Sequence, residues 1–201
     1  MDHLCSFSHW DNWVTWKWMS LRVIPSHGDI ASGLSSLAKR KLAKWTPPLQ
    51  FSFKLNFDGV AKGNPGKSGI GVVLFDHNYM IVKVVGKFIG VDSNNSAEFH
   101  ALSFGLDLAI SLGIKDIIIE GDSMLIFHSV SAKKCVSWHL QYLLDRILAQ
   151  LKCFSTFTIS HCYREINVIV DYLANKVVVE CAEYLEVSPR DIPASCISIL
   201  Y

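Results

Sequence analysis

The sequence predicts an α/β fold: a five-stranded mixed sheet, with three antiparallel and two parallel strands, flanked by helices. Strand-like segments at 51–58, 68–75 and 79–88 are joined by short turns, a pattern typical of an antiparallel meander. Helix and strand patterns then alternate, which favours parallel βαβ additions with helices packed on the sheet. Half of the 201 residues are hydrophobic and 18% are charged, so we expect a well-buried core rather than disorder.

The first strand carries an aspartate on the face opposite its apolar side chains. Because side chains alternate between faces on a strand, Asp58 is expected to point away from the buried face. That buried face is expected to hold Phe51, Phe53, Leu55 and Phe57. The glycine-rich segment 59–66 then predicts a turn that reverses the chain. On this stretch alone, Asp58 can equally be a solvent-facing residue before a hairpin.

Two further acids lie where predicted elements begin or end. A helix is predicted to begin in the cap-rich stretch 92–98, with Glu98 in its first turn, where the helix dipole favours a negative charge. Alternatively, Glu98 closes a capping box with Asn95. Asp122 follows an apolar strand at 116–120, so it is either a ligand-site residue at a strand end or an ordinary N-cap.

The remaining segments extend the same alternation. Helices are predicted at 124–130, 138–152 and 167–180, and a last strand at 154–163. Asp171 lies in the first turns of the final helix. The segment 184–201 contains two prolines and is expected to be a loosely packed tail.

Residues 1–48 are predicted to be an extension with a proline-containing linker, and 49–201 the domain with its tail, because Pro47-Pro48 stops a helix. Trp10, Trp13, Trp16 and Trp18 are crowded into nine positions. They favour a packing patch or the remnant of a neighbouring domain over a platform for single-stranded nucleic acid. The basic run 39–44 is either a phosphate contact or a solvated helix face.

Composition limits the classes of partner and compartment. The net charge of +1 gives no general attraction to nucleic acid. Six cysteines without Cys-x-x-Cys or zinc-like spacing favour reduced thiols and an intracellular location, with nucleus and cytoplasm both left open. No apolar run reaches about 18 residues and no signal-peptide pattern begins the chain, so neither a membrane span nor secretion is expected.

Four acids are expected to meet at one end of the sheet if the first and fourth strands are neighbours: Asp58, Glu98, Asp122 and Asp171. Unpaired carboxylates repel one another, and Mg²⁺, which prefers oxygen ligands, relieves that repulsion. Two such ions about 4 Å apart would polarise a phosphodiester, generate hydroxide and stabilise the leaving oxygen. The pattern therefore predicts two-metal phosphodiester chemistry.

Four ordered motifs resemble type 1 ribonuclease H, and more closely its plant branch, which is associated with reverse transcriptases and retrotransposons. They are Asn56-Phe57-Asp58-Gly59 with Gly63-Asn64-Pro65-Gly66, Asn94-Asn95-Ser96-Ala97-Glu98, Gly121-Asp122-Ser123, and Arg164-Glu165-x-Asn167-x-x-x-Asp171-x-Leu173-Ala174. The resemblance covers roughly residues 45 to 200 and implies a ribonuclease H-like fold.

The resemblance implies a monomeric endonuclease that hydrolyses the RNA strand of RNA–DNA hybrids and leaves a 3′-hydroxyl and a 5′-phosphate. The four acids would be catalytic and would bind two Mg²⁺ ions, with Mn²⁺ able to replace them. His161 matches a histidine that aids proton transfer or product release; alternatively, it is a strand-end residue without such a task. The implied nucleic-acid contacts are Gly59, Asn64, Asn94, Asn95, Ser123 and Asn167. Amides can read 2′-hydroxyls, although turn and cap chemistry also accounts for them.

Departures from the family pattern leave other functions open. Only Lys133 and Lys134 remain where some bacterial members carry a basic handle, so hybrid affinity is expected to be weak and salt-dependent. Val170 replaces a smaller residue and is expected to crowd the last helix against the sheet. The alternatives are a catalytically decayed or domesticated module that binds nucleic acid without cutting it, and an interaction scaffold with no nucleic-acid role.

Overall fold

The computed structural model describes residues 46, 48, 50–78, 80–135 and 137–198. Its strands are β1 Phe53–Gly63, β2 Gly66–Phe75, β3 Ile81–Asp92, β4 Asp116–Gly121, β5 Thr156–His161 and β6 Leu185–Glu186. Its α-helices are α1 Asn94–Ser111, α2 Met124–Ala132, α3 Gln141–Leu151, α4 Val168–Glu180 and α5 Ala194–Ile197. Short 3₁₀ turns lie at Trp138–Leu140, Arg164–Ile166 and Pro189–Asp191. The tryptophan-rich and basic segments before residue 46 fall outside the described residues.

The strands form one mixed sheet in the order β5-β4-β1-β2-β3-β6. β1, β2 and β3 make an antiparallel meander, and β4 and β5 continue the sheet in parallel from β1. The predicted α/β class, with three antiparallel and two parallel strands, is confirmed. The count of five strands is wrong, because the two-residue β6 pairs antiparallel with β3. None of the described helices is long and apolar enough to span a membrane.

The central strand β1 is longer than the sequence pattern predicts. Its pairing with β2 continues to Gly63 opposite Gly66, so only Asn64 and Pro65 form the reversal. The predicted reversal within 59–66 is confirmed, but it occupies Asn64 and Pro65 rather than the whole segment. Asp58 lies within the strand, opposite Gly71, rather than at the strand's end.

Helices cover both faces of β1. Leu55 and Phe57 are fully buried on one face, as predicted, but Phe51 precedes the strand and is 73% exposed. The opposite face is buried too, including Lys54 and Asp58. A buried ammonium needs a partner, and the Lys54 Nζ lies 2.7 Å from the Glu120 Oε1 and also donates to the carbonyl of Thr46.

Two hydrophobic clusters lie on either side of the sheet. The larger one packs β1, β2 and β4 against α1, α2 and α3. The smaller one lies beneath α4 and comprises Val73, Phe75, Val84, Ile169, Val170, Leu173, Ile192 and Cys196. Because Ile192 and Cys196 are buried in it, the expectation of a loosely packed tail is wrong for the described residues up to 198. Apolar burial holds this segment against α4.

Helix α4 touches the sheet at backbone distance. A Cβ added at Gly71 would lie 2.2 Å from the carbonyl oxygen of Val170 and 3.0 Å from the backbone nitrogen of Ala174. Only glycine leaves room for that approach. The side chain of Val170 packs into the smaller cluster. The crowding of helix and sheet that the sequence predicts at Val170 is relieved because the facing residue, Gly71, has no side chain.

Truncating Ile192 tests whether the tail belongs to the core. Ile192→Ala should lower the free energy of unfolding by about 2–5 kcal/mol, because it removes buried methyl groups and leaves a cavity. Urea denaturation measures the change. Val179→Ala on the exposed side of α4, where the side chain is 79% exposed, is the matched control and should shift stability by less than about 0.5 kcal/mol. Equal effects of the two variants would show that the tail is not packed.

Candidate active site

Three carboxylates from three different elements converge at the site. Asp58 projects from β1, Glu98 from α1, and Asp122 from the residue after β4. One oxygen atom from each of the three side chains lies within 4.8 Å of those of the other two. Oxygen donors at this spacing can share a divalent cation.

The fold brings the three acids together through two close contacts. The parallel pairing of β1 with β4 runs from Phe53–Ile117 to Asn56–Glu120, which places the end of β4 beside Asp58. At Gly59 an added Cβ would lie 2.2 Å from the Ala97 carbonyl carbon and 2.3 Å from the Glu98 nitrogen. Helix α1 therefore lies directly on β1, and this contact brings Glu98 to Asp58.

Neither Glu98 nor Asp122 caps a helix. Ser93 is the N-cap of α1 and its side chain accepts from the Ser96 N–H, so Asn95 and Glu98 form no capping box. Glu98 lies in the second turn, which corrects the expectation that it lies in the first. Ser123 is the N-cap of α2, so Asp122 precedes the cap. Both structural alternatives for these acids are thereby removed.

Burial and mutual repulsion favour the protonated forms of the three acids in the metal-free chain. Burial, followed by the charges of Asp122 and Asp171, raises the pKa of Asp58 to about 8. Burial and the charge of Asp58 raise the pKa of Glu98 well above its usual value, and burial raises the pKa of Asp122.

Unpaired buried oxygens mark the same place. In the described part of the chain, the buried side-chain atoms without a hydrogen-bond partner are Asn56 Oδ1, Glu98 Oε2 and Asp122 Oδ1. Buried polar atoms are normally satisfied, so such atoms need an explanation. Two of them belong to the carboxylate group, where a bound cation would supply the missing partner. The residues present therefore fit a hard divalent cation.

Asp171 lies at the edge of this group rather than within it. Its Oδ1 accepts from the Arg164 guanidinium at 2.6 Å, and Asp171 is not one of the three acids that share the 4.8 Å spacing. Its charge nevertheless raises the pKa of Asp58. The expected convergence of four acids is thus seen as three together and a fourth in an ion pair beside them.

Arg164 is a functional candidate to which the sequence analysis gave no role. Its positive charge offsets part of the rise in the pKa of Asp58, Glu98 and Asp122. The motif contained a sign of this pair, since Arg164 lies seven residues before Asp171. In a helix, that spacing would place the two residues on the same face. Motif reading alone does not show that the pair forms or that it borders the acids.

His161 and Ser123 border Asp122. His161 ends β5, paired with Gly121 in the parallel ladder, and its ring contacts those of Phe127 and Tyr163 edge-on. A positive charge on His161 would lower the pKa of Asp122. Ser123 begins α2 without a side-chain cap hydrogen bond. Both positions are compatible with the predicted roles, which stay predictions.

The amides near the hairpin connect it to α1. The Asn64 Oδ1 accepts from the Asn94 N–H at 3.1 Å, and the Asn94 Oδ1 accepts from the Ala61 N–H at 3.2 Å. Asn64, Asn94 and Asn95 are exposed. Turn and cap chemistry is therefore present, and contact with nucleic acid stays a prediction for these residues.

Asn167 is placed where it cannot make the nucleic-acid contact predicted for it. Asn167 is only 2% exposed. Its Nδ2 donates to the Phe57 carbonyl at 3.0 Å, and its Oδ1 accepts from the Asn56 Nδ2 at 3.2 Å. The amide is thus occupied by β1. The prediction failed because an asparagine motif does not distinguish a buried amide from an exposed one.

The sheet order and the acids beside the β1–β4 junction define a ribonuclease H-like fold. A family model described as reverse transcriptase-like matches residues 56–177. The chain belongs to this family, and the resemblance to type 1 ribonuclease H is confirmed.

Known relatives agree with this assignment. Ribonuclease HI of Halobacterium salinarum is 34% identical over 127 residues, which span 61% of this chain and 62% of that protein. The solved structure of RNase H1 from that organism superposes with a TM-score of 0.62 at 32% identity, covering 65% of this chain and 99% of that one. The structure of LC11-RNase H1 from compost, in complex with an RNA/DNA hybrid, gives a TM-score of 0.59 at 28% identity, covering 64% and 98%.

A plant relative is matched over a smaller share of its length. An Arabidopsis thaliana protein whose name provisionally assigns it to ribonuclease H is 28% identical over 160 residues, which span 79% of this chain and 26% of that protein. The chain therefore spans less than two thirds of the length of both curated relatives.

Replacing Asp58 tests the electrostatic cost of the site. Burial raises the pKa of the Asp58 carboxyl group to about 8 in the fold, from its ordinary value of 3.8. As pH rises between these values the unfolded chain loses the proton first, so the metal-free fold loses stability. Asp58→Asn should therefore raise the free energy of unfolding at about pH 8, by more than the roughly 1.4 kcal/mol that one pKa unit represents.

The gain should be smaller at about pH 5, where less of the stability difference has accumulated. Urea denaturation in EDTA at both pH values measures it. Asp145→Asn, at an exposed carboxylate in α3, is the control and should show little dependence on pH. A constant gain at the two pH values would contradict the proposed burial of the Asp58 charge.

Proposed function

We propose that the chain is a metal-dependent endonuclease that hydrolyses the RNA strand of RNA–DNA hybrids. The observation that carries the proposal is the group of three carboxylates, two buried and Asp122 half-buried, of which Glu98 and Asp122 each keep an unpaired oxygen. The family and the hybrid-bound structure of LC11-RNase H1 supply the class of substrate. Asp58, Glu98 and Asp122 would hold the metal, and Asp171 would join them on release from Arg164.

Mg²⁺ is the proposed ion, in two copies, because every donor is a hard oxygen; Mn²⁺ would substitute. When bound, such ions would polarise the phosphodiester and neutralise the charge that develops at the attacking and leaving oxygens. The rigid strand β1 fixes Asp58, and α1 fixes Glu98 against it, so the ligands are held in place before substrate binds.

Arg164 and His161 complete the proposed mechanism. Arg164 is largely exposed, and it can turn its guanidinium from Asp171 toward a substrate phosphate. His161 lies near Asp122 and would transfer a proton at the leaving oxygen.

The hybrid is proposed to lie along the junction of the β1–β2 hairpin with α1. Asn64, Asn94 and Asn95 are exposed there and can hydrogen-bond to 2′-hydroxyls, the group that distinguishes RNA from DNA. Gly59 is buried against α1, which argues against the direct contact predicted for it. Ser123 would contact a phosphate. A monomer is proposed as the active form.

The domain is further proposed to derive from a plant retrotransposon polyprotein that acts inside the cell. The reverse transcriptase-like family and the Arabidopsis relative support this origin, since the chain matches only 26% of that relative. The boundary near residue 48 fits a domain preceded by another segment.

Cleavage of a labelled hybrid tests the proposed function directly. The chain should cut the labelled RNA strand in Mg²⁺ or Mn²⁺, leave the DNA strand intact and fail in EDTA. Asp58→Asn, Glu98→Gln and Asp122→Asn should each lower the cleavage rate by more than about 100-fold. A loss of about that size is typical when a residue that only supports a metal ligand is replaced. Asp145→Asn should cleave at the wild-type rate.

The outcomes separate the competing functions. If the wild type and Asp58→Asn give the same absence of cleavage, the enzyme proposal fails. Salt-dependent hybrid binding without turnover would then identify a decayed binding module. No binding at low salt and no metal-induced rise in melting temperature would identify an interaction scaffold.

A further inference from the structure

Asn167 lies at the junction between the 3₁₀ turn that carries Arg164 and the helix that carries Asp171. Its backbone N–H donates to the Arg164 carbonyl at 3.0 Å, and its carbonyl accepts from the Asp171 N–H at 3.2 Å. The position of Asn167 therefore sets the positions of both charged residues at the edge of the site.

The side chain of Asn167 fastens this junction to β1. It donates to the Phe57 carbonyl at 3.0 Å and accepts from the Asn56 amide at 3.2 Å. The parallel ladder between β1 and β4 ends at Asn56–Glu120, so these bonds form where β4 leaves β1. The next residue along β1 is Asp58, the central acid of the group.

The hydrogen bonds fix the orientation of both amides and leave one buried oxygen without a partner. A carbonyl oxygen only accepts, so Asn167 must direct its Nδ2 to Phe57 and its Oδ1 to Asn56. Asn56 must then donate, and its own Oδ1 is among the buried atoms without a partner in the described chain. Stability alone does not account for such a pair, because two apolar residues of the same shape can be nearly as stable.

We propose that Asn56 and Asn167 form an amide clamp that positions Asp171 and Arg164 relative to Asp58. The inference rests on the proposed function, since it assigns the clamp to the metal and phosphate chemistry of that site. Neither amide touches substrate; both are positioning residues. They act as outer-shell groups do at metal sites, by fixing the geometry of the residues that bind.

Asn167→Leu tests the clamp, since it keeps the branched arrangement of four side-chain heavy atoms and removes both side-chain bonds to β1. The turnover number for hybrid cleavage should fall about 10- to 100-fold. The KM for the hybrid should change less than the turnover number, because the proposed contacts of the hairpin and α1 with the hybrid do not involve the clamp. The rise in melting temperature produced by Mn²⁺ in the absence of substrate should shrink.

Gln150→Leu is the matched control. Gln150 is a buried amide that donates to the Ser103 carbonyl at 2.9 Å and accepts from the Ser103 hydroxyl at 3.1 Å, joining α3 to α1 on the other face of the sheet. Its loss should lower the melting temperature without changing the turnover number or the Mn²⁺ effect. A merely structural role for Asn167 would make the two variants behave alike.

Equal losses in Asn167→Leu and Gln150→Leu, or a Mn²⁺ effect that Asn167→Leu leaves unchanged, would overturn the clamp. If Asn167→Leu fails to fold, Asn56→Leu replaces it; this variant keeps the bond to Phe57 and should show a smaller loss in the same direction. If the wild type does not cleave hybrid, the proposed function fails on its own, and the Mn²⁺ effect on melting temperature decides the clamp.

Discussion

Asp58, Glu98 and Asp122 hold like charges close together in a buried site, and the rest of the structure has to offset their repulsion. The metal-free chain meets this constraint partly by favouring the protonated forms and partly through the nearby charge of Arg164. Extensive apolar burial on both sides of the sheet supplies the stability that the site removes. A site that is unfavourable without its ligand is a common property of functional centres.

Glycines allow this site to be assembled. Gly59 lets α1 contact the backbone of β1, and Gly71, opposite Asp58 in the hairpin, lets α4 contact the backbone of β2. Two helices therefore approach neighbouring positions of β1 and β2 from opposite faces. Any larger residue at either position would push an acid-bearing helix away from Asp58.

The sequence predicted the sheet class and the meeting of the acids because both follow from local patterns. Alternation identified the meander, and the strand-end position of Asp122 placed it beside β1. The length of β1 and the packed tail could not be predicted, because pairing to Gly63 and burial of Ile192 depend on partners distant in sequence. The same reason explains Asn167: its motif indicated a polar contact, and only the packing of α4 on β1 shows that the contact is internal.

The chain after α4 packs against the turn of the helix that carries Asp171. Ile192 and Cys196 pack beneath α4 together with Ile169 and Val170, the residues that immediately precede Asp171. The first turn of the helix therefore packs against both the sheet and the returning chain, and it cannot tilt without disturbing that packing. A second protein bound at this segment would consequently be able to shift Asp171 through the same contacts.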